Sequence, residues 1–512
     1  MIAAATVLTL GALALIGFSS ADPETILIYW ACLGGLVAFG YYAVKGDLLV
    51  AVLLWFVTLI VLHEEFWRIR VPFFFALTIP RIGIVVLVLL AAAMLVLGRF
   101  RLRSAWPVSG AIAAVAVYFF VSALISGFET RSVVTVHYRL IGGYLFPFAV
   151  FILVLHAFQK EHDLRRLTVF FALVSVYLTF VGWCEHLGWR SLIFPRFIND
   201  PSVGIHWGRV RGPFVMSPGM GLALTYCFFN NLILARNTVR WRWLLYALNA
   251  LMLPAIFWTD TRSVWLAFVI CSFIWVMYSR RRTGRVVGVS LLLGLALTVA
   301  VANMTNLLSA EREKGGWTGM EPILMRVGLA KMTWNIFEEH PAFGLGFGHF
   351  RDYASEYARD PSSAAYAFGS TALEHNNLLS ILAETGIVGL VLYLIMMILV
   401  LRASVRLYRK LPSSGAGFLN RDMLVLYWIL AVAYFIDGTF RETSSEPFSN
   451  CLFFGFSAIP IALDYLLGPT QVRSRAAFPP TYGPHGRPVA GPGSPHGAAH
   501  AAAPRPSSES PS

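Results

Sequence analysis

Residues 375–402 read HNNLLSILAETGIVGLVLYLIMMILVLR, a histidine–asparagine pair set against a long apolar run. His375 and Asn376 are followed by nine residues, then Gly386, two more residues and Gly389. The apolar part is as long as the roughly 20 residues that carry a helix across a bilayer. The pair in front of it falls where a polar loop meets that helix. Membrane interiors seldom hold a titratable group without a task. A histidine at the bilayer surface can take a proton from a hydroxyl near neutral pH.

The rest of the chain agrees with a membrane setting. Of 512 residues, 57% are hydrophobic and 13% charged, and mean hydropathy is +0.67. Soluble domains carry about 25% charged residues. Alternating segments of the barrel type are absent, so the expected fold is all-α, a polytopic transmembrane helical bundle. The formal net charge of +13 would suggest nucleic acid in a soluble protein. Here the excess lies in short loops between apolar spans, where it orients the chain in the membrane, and no nucleic-acid partner is expected. Cys32, Cys184, Cys227, Cys271 and Cys451 lie in or beside apolar spans without a C-x-x-C pair, which suggests neither disulfides nor a zinc site.

Apolar stretches near spanning length fall at 2–20, 25–44, 48–63, 82–98, 105–126, 139–158, 166–186, 214–236, 242–260, 263–279, 285–306, 379–402, 422–438 and 446–467. That is about fourteen spans, or twelve if weak early segments merge or re-enter. Residues 64–81 (EEFWRIRVPFFFALTIPR) suit an interfacial stretch. The first segment ends in FSSAD, which resembles a cleavage site; it lacks a basic leader and a second span follows at once, so it is expected to stay.

Five basic clusters recur between spans: Arg99, Arg101 and Arg103; Lys160, Arg165 and Arg166; Arg236, Arg240 and Arg242; Arg280, Arg281, Arg282 and Arg285; and Arg402, Arg406, Arg409 and Lys410. With these spans they share one side, which the positive-inside rule makes cytoplasmic. Loops 187–213 and 307–375, and the turn around Asp260 and Arg262, then face outward. The expected organisation is an N-terminal transmembrane bundle over 1–186, a second transmembrane region over 187–467 and a disordered cytoplasmic tail over 468–512. The tail is rich in Pro, Ala, Gly and Ser and cannot bury enough apolar surface to fold. Its histidines, His485, His496 and His500, are irregularly spaced and read as solvated.

Loop 307–375 is the one segment long enough for an extramembrane subdomain. Ile323, Leu324, Val327, Met332 and Ile336 are spaced as in an amphipathic helix lying on the membrane or over a cavity, ended by Pro341. The following AFGLGFGHF places Gly344, Gly346 and Gly348 for close backbone approach to a lipid or helix. It follows no strand and opens no dinucleotide unit, so a phosphate-loop reading is weak.

Arginines mark the outward face. Arg262 stands in TDTRSVW between two apolar spans, Arg326 lies on the loop helix, and Arg209 and Arg211 lie in GRVRGPF. A guanidinium is always charged and its fork of donors suits phosphate oxygens; each of these also fits a snorkelling interfacial role. Several arginines and a histidine at one membrane face favour an anionic, membrane-anchored substrate.

These stretches together resemble the O-antigen ligase family and its polymerase relatives. The HN-x9-G-x2-G run matches that family's motif. EEHPAFGLGFGHF resembles its E-x-P-x-x-G-x-G-x-G-x-F stretch. TDTRSVW resembles its T-x-S-R segment, with Thr261 where serine is usual. RVRGPFVMSPGMG resembles its R-x-x-G-x-F-x-x-P-N-x-x-G stretch, with Gly219 in place of asparagine. The resemblance is strong over about 200–400, and agrees elsewhere only as hydrophobic spans.

The resemblance implies a metal-independent, GT-C-like glycosyltransferase of the bacterial inner membrane with its active site facing the periplasm. Its donor would be an undecaprenyl-diphosphate-linked glycan and its acceptor a lipid A-core sugar or another glycan; no cofactor is implied. His375 would be the general base that activates the acceptor hydroxyl. Arg262, Arg326 and Arg211 would hold the diphosphate. Fixed cations stabilise the charge that develops on a departing phosphate. Asn376 would orient the histidine or bind sugar; a first-turn helix residue is the plainer alternative. Gly386 and Gly389 are read as permitting close helix packing. Glu374 and Glu384 carry no assigned role, and Trp207, beside His206, suits either sugar stacking or an interfacial belt. A polymerase of the same architecture is the alternative to a ligase. A flippase or other transporter fits less well, because the polar chemistry gathers at one face and no internal repeat is present.

Overall fold

The computed structural model describes residues 45, 47–69, 76–98, 103–130, 134–278, 285, 321–360, 376–412 and 417–467. The spans expected at 2–20 and 25–44, the one beyond Arg285, the C-terminal tail and His375 lie outside the described residues. Every other expected span is a helix. Eight helices among the described residues are long and apolar enough to cross a membrane, and three shorter apolar helices accompany them. The sole sheet among the described residues is a two-residue hairpin, Arg68–Ile69 against Leu77–Thr78. The chain is a polytopic helical membrane protein.

In chain order the helices are α1 (Leu48–Val57), α2 (Ile79–Val96), α3 (Val108–Ser126), α4 (Phe146–Ala157), α5 (Glu161–Leu187), α6 (Ser217–Asn237), α7 (Arg242–Phe257), α8 (Arg262–Tyr278), α9 (Glu321–Glu339), α10 (Asn377–Lys410), α11 (Arg421–Phe440) and α12 (Pro447–Ser457). A π-helical segment, Tyr138–Leu145, leads directly into α4. The hairpin takes up part of the stretch read as interfacial, and α2 begins at Ile79, with Pro80 in its first turn, where proline leaves no helical donor unpaired.

α6 sits at the centre: 89% of its spanning window is buried, against 28% for α2 and α3, whose open faces suit lipid. It packs on α5, α7 and α11, while α4 packs on α12 and α3 on α10. Its buried asparagines act as polar glue. Asn231 Nδ2 donates to Ser175 Oγ and to Asn249 Oδ1, both at 3.0 Å, and Asn230 Nδ2 donates to the Thr168 carbonyl at 2.9 Å. Interhelical side-chain hydrogen bonds of this kind hold helices together where lipid removes the hydrophobic drive.

The helix ends fall into two sets. Arg166 of α5 pairs with Asp47 before α1 at 2.8 Å. Asp422 of α11 accepts from Tyr278 at the end of α8 at 2.8 Å and pairs with Arg236 of α6 at 3.4 Å. Glu161 at the start of α5 accepts from the N–H of Phe418 at 2.8 Å. The basic clusters at 160–166 and 236–242 therefore share an end with the 411–422 connection. The other end collects Arg139, the 187–213 loop, Arg262, Asn376 and the 441–446 connection. The described residues up to Ala462 form one compact unit; 463–467, which are helical, belong to a second.

Candidate active site

Asn376 caps α10: its Oδ1 accepts from the N–H groups of Leu378 and Leu379 at 3.0 and 3.1 Å, the donors a helix start leaves without partners. The plainer alternative for this residue is thus one of its roles. Its Nδ2 reaches the Thr439 carbonyl at the end of α11, at 3.5 Å.

α10 is two helices in one run. Gly386 takes φ 63° and ψ −167°, far from helical values, and breaks it. The break frees backbone groups that lipid could not satisfy. The glycine-rich segment after α9 satisfies them. Leu345 N–H donates to the Ala383 carbonyl at 3.0 Å and Gly346 N–H to the Glu384 carbonyl at 2.8 Å. In the other direction, Ile387 and Val388 donate to the Pro341 and Ala342 carbonyls at 2.9 and 3.3 Å. No side chain fits between the two backbones. A Cβ on Gly344 would lie 2.5 Å from the Ala383 oxygen, and one on Gly386 2.3 Å from that of Ala342. The close approach expected of these glycines is backbone to backbone. Gly389 packs on Tyr118 of α3, whose hydroxyl donates to the Thr385 carbonyl at 2.8 Å.

The half-helix 377–385 that results carries α9 against it. Leu329, Met332 and Ile336 of α9 pack with Ala383, Phe350 and Ala354 in one buried cluster. The buried stripe is therefore shifted from the expected one: Met332 and Ile336 are inside, but Val327 is 42% exposed. The reason is that α9 docks on a protein surface over a cavity, with its 329–332–336 edge inward. The cavity, about 190 Å³, is lined by Arg326, Leu329, Ala330 and Thr333 of α9, Asn376 and Leu379 of α10, and Thr439 of α11.

Arg326 is the cation of this cavity. Its Nε is buried without a hydrogen-bond partner, and its guanidinium lies 5.3 Å from the Phe440 ring centre. Burial, and after it the charge of Arg262, pulls its pKa below the usual arginine value. Arg262, exposed at the first turn of α8, is therefore near enough to be felt. Among the described residues neither arginine has a carboxylate partner. Two neighbouring cations without an anion, one at a helix N-terminus, make a place for an anionic ligand.

Arg211 lies elsewhere. It is 1% exposed, and its guanidinium donates to the carbonyls of Val203 (2.5 Å), Ile198 (3.0 Å) and Asp200 (2.7 Å), with Trp207 stacked at 4.5 Å. Its fork is occupied by carbonyls of the loop it stands in, which favours a structural role for it over a phosphate-holding one. Arg209, two residues earlier, is exposed and pairs with Asp260, at 3.7 Å, next to the turn that starts α8. The spacing of the two arginines gave no way to choose between them; loop geometry does. Thr333 and Thr439 were also missed, since a threonine on an apolar helix carries no sequence signal. His375, adjoining Asn376 in the chain, lies outside the described residues.

A second polar cluster flanks this end. Arg441 is bidentate to Asp437 (2.8 Å to each oxygen from Nε) and pairs with Glu446. His206, half-buried at φ 62°, has its Nδ1 buried without a partner. Burial first, then Arg209 and Arg441, pull the pKa of His206 down to about 4. Among the described residues no group of three or more His, Cys, Asp or Glu side chains is arranged to hold a metal ion.

Residues 247–394, from α7 through the break in α10, match the family model described as O-Antigen ligase. No curated protein matches the chain.

Proposed function

We propose, from the match of residues 247–394 to the O-Antigen ligase family model, that this chain ligates a lipid-linked glycan to an acceptor sugar. The donor is a glycan on undecaprenyl diphosphate. The acceptor is a sugar hydroxyl on a lipid A-core or another glycan. In the reaction the acceptor oxygen bonds to the anomeric carbon as the bond from that carbon to the phosphate oxygen breaks. The hydroxyl proton passes to His375, and the bonding pair leaves with the lipid diphosphate. Arg326 and Arg262 hold that diphosphate and stabilise its developing charge. Asn376 orients the first turn beside the base. No metal takes part, so turnover survives EDTA; loss restored by Mg²⁺ would count against this.

The observation that carries the reading is the cavity beside Asn376, with Arg326 in its wall and Arg262 near it, both without carboxylate partners among the described residues. A lipid-anchored anion suits a pair of cations where helices end. Orientation supports it as well. The basic clusters at 160–166 and 236–242 share the end opposite the cavity, which under the positive-inside rule favours a periplasmic-facing cavity.

The deciding experiment is the glycan profile of a deletion strain, with wild type and His375→Ala added back. Long polymer stranded on the carrier, cured by wild type and not by His375→Ala, supports a ligase. Single repeats point instead to the polymerase of the same family. Precursor trapped on the cytoplasmic side would refute both and indicate a transporter.

A further inference from the structure

The cavity is not the only place where the end of α10 is held. Behind it, Arg139 in the π-helical segment is 5% exposed, and its guanidinium is saturated by three elements. Nη1 donates to Glu384 Oε1 at 2.5 Å and Nη2 to Glu384 Oε2 at 3.0 Å, a two-point grip. Nη2 also meets Ser380 Oγ at 3.1 Å, one turn earlier on α10. Nη2 reaches Glu442 Oε1, and Nε reaches Ser444 Oγ, both at 3.0 Å. Phe347 from the glycine-rich loop covers the guanidinium, 5.6 Å from its ring centre, and Phe350 N–H donates to Glu384 Oε1 at 3.3 Å.

We infer that Arg139 is a positioning residue for the transfer reaction: by gripping Ser380 and Glu384 it fixes the rotation and height of the half-helix 377–385, and so of the cap Asn376 that faces the cavity. The inference rests on the function proposed above. Its logic comes from the break at Gly386. A continuous α10 would hold its own first turn in place. A half-helix cut loose from the rest needs an anchor from outside, and Arg139 supplies it at two positions one turn apart. Ion pairs this deeply buried add little net stability over an apolar filling of the same shape, and their best-attested use is fixing register.

The charges also divide unequally. Two carboxylates face one guanidinium. Burial foremost raises the pKa of Glu442, Arg139 opposes this, and Glu384 adds to it. Glu384 stands on the half-helix and takes two bonds from Arg139, whereas Glu442 stands on the 441–446 connection and takes one. An amide should replace Glu442 and fail to replace Glu384.

The test uses membranes of the deletion strain carrying each full-length variant, with lipid-linked glycan extracted from that strain titrated as donor. Turnover is counted per molecule of monodisperse protein. Arg139→Lys keeps the charge and loses the fork. It should lower kcat by about tenfold or more with donor KM within about threefold, since misplacements near 1 Å can cost far more than that. Glu384→Gln should behave alike, and Glu442→Gln should stay within about threefold of wild type, because Glu442 takes a single bond from Arg139 and stands outside the half-helix. An unchanged kcat in Arg139→Lys, or a loss seen only in KM, overturns the inference. Should Arg139→Lys fail to fold, the Glu384→Gln and Glu442→Gln pair decides: equal losses overturn it. His375→Ala runs alongside. If that variant keeps activity, the transfer reading itself is at fault; if it is dead while Arg139→Lys is normal, only the positioning role falls.

Discussion

Gly346 donates its N–H to the carbonyl oxygen of Glu384 at 2.8 Å, so a loop glycine completes a turn that the membrane helix itself leaves open. Two motifs 38 to 42 residues apart, the glycine-rich run and the glycine after the histidine–asparagine pair, are thus halves of one joint. Gly386→Ala is expected to cost more than about 2 kcal/mol, from left-handed strain alone, before its Cβ meets the Ala342 oxygen. Thermal unfolding in detergent measures this. A midpoint equal to wild type would mean the joint is not built as described.

Arg326 and Arg262 are expected to act on the donor and not on the acceptor. Each Arg→Gln change removes a charge-assisted contact to phosphate, a contribution of about 1.5–3 kcal/mol, so donor KM should rise about ten- to a hundredfold. Acceptor KM should stay put. Titrating extracted lipid-linked glycan against each variant reads both. Wild-type donor kinetics in both variants would remove the diphosphate from this cavity.

Much of this was legible from the chain. Apolar run lengths place both ends of α2, α3, α6, α7, α8 and α11 within about three residues, because a bilayer imposes one length on every helix that crosses it. The HN pair and its glycines pointed to the start of α10. What periodicity could not give is the side a helix presents when its partner is a loop: Val327 was expected inside and lies exposed, since α9 faces Ala383 and Phe350. Arg139 sits in an apolar span, and an intramembrane charge is itself a signal. Its partners lie more than 200 residues away, and spacing cannot join them.

Arg211 gives a contrasting prediction. Its guanidinium ties three carbonyls of the 198–203 loop, so Arg211→Met leaves those buried acceptors without donors. The expected loss is about 2–4 kcal/mol in stability, with donor KM unchanged in the protein that folds. Unfolding and donor titration on the same preparation separate the two. A raised donor KM at normal stability would return Arg211 to the phosphate-holding group.

His206 ties stability to acidity. In the unfolded chain a histidine takes up its proton near 6.5; in the fold His206 waits until about 4, held back by burial and by Arg209, Arg441 and Arg211, with Glu446 opposing them. Between those values the unfolded chain binds more protons than the folded one, so stability rises with pH across this window and falls on acidification through it. The contribution is complete above 6.5 and lost toward 4. His206→Asn removes the titration and tolerates the left-handed backbone at φ 62°. Wild type should therefore lose unfolding temperature more steeply than His206→Asn between a pH of about 7 and one of about 5. Parallel slopes would show that the imidazole titrates freely and that its unpartnered nitrogen reaches water.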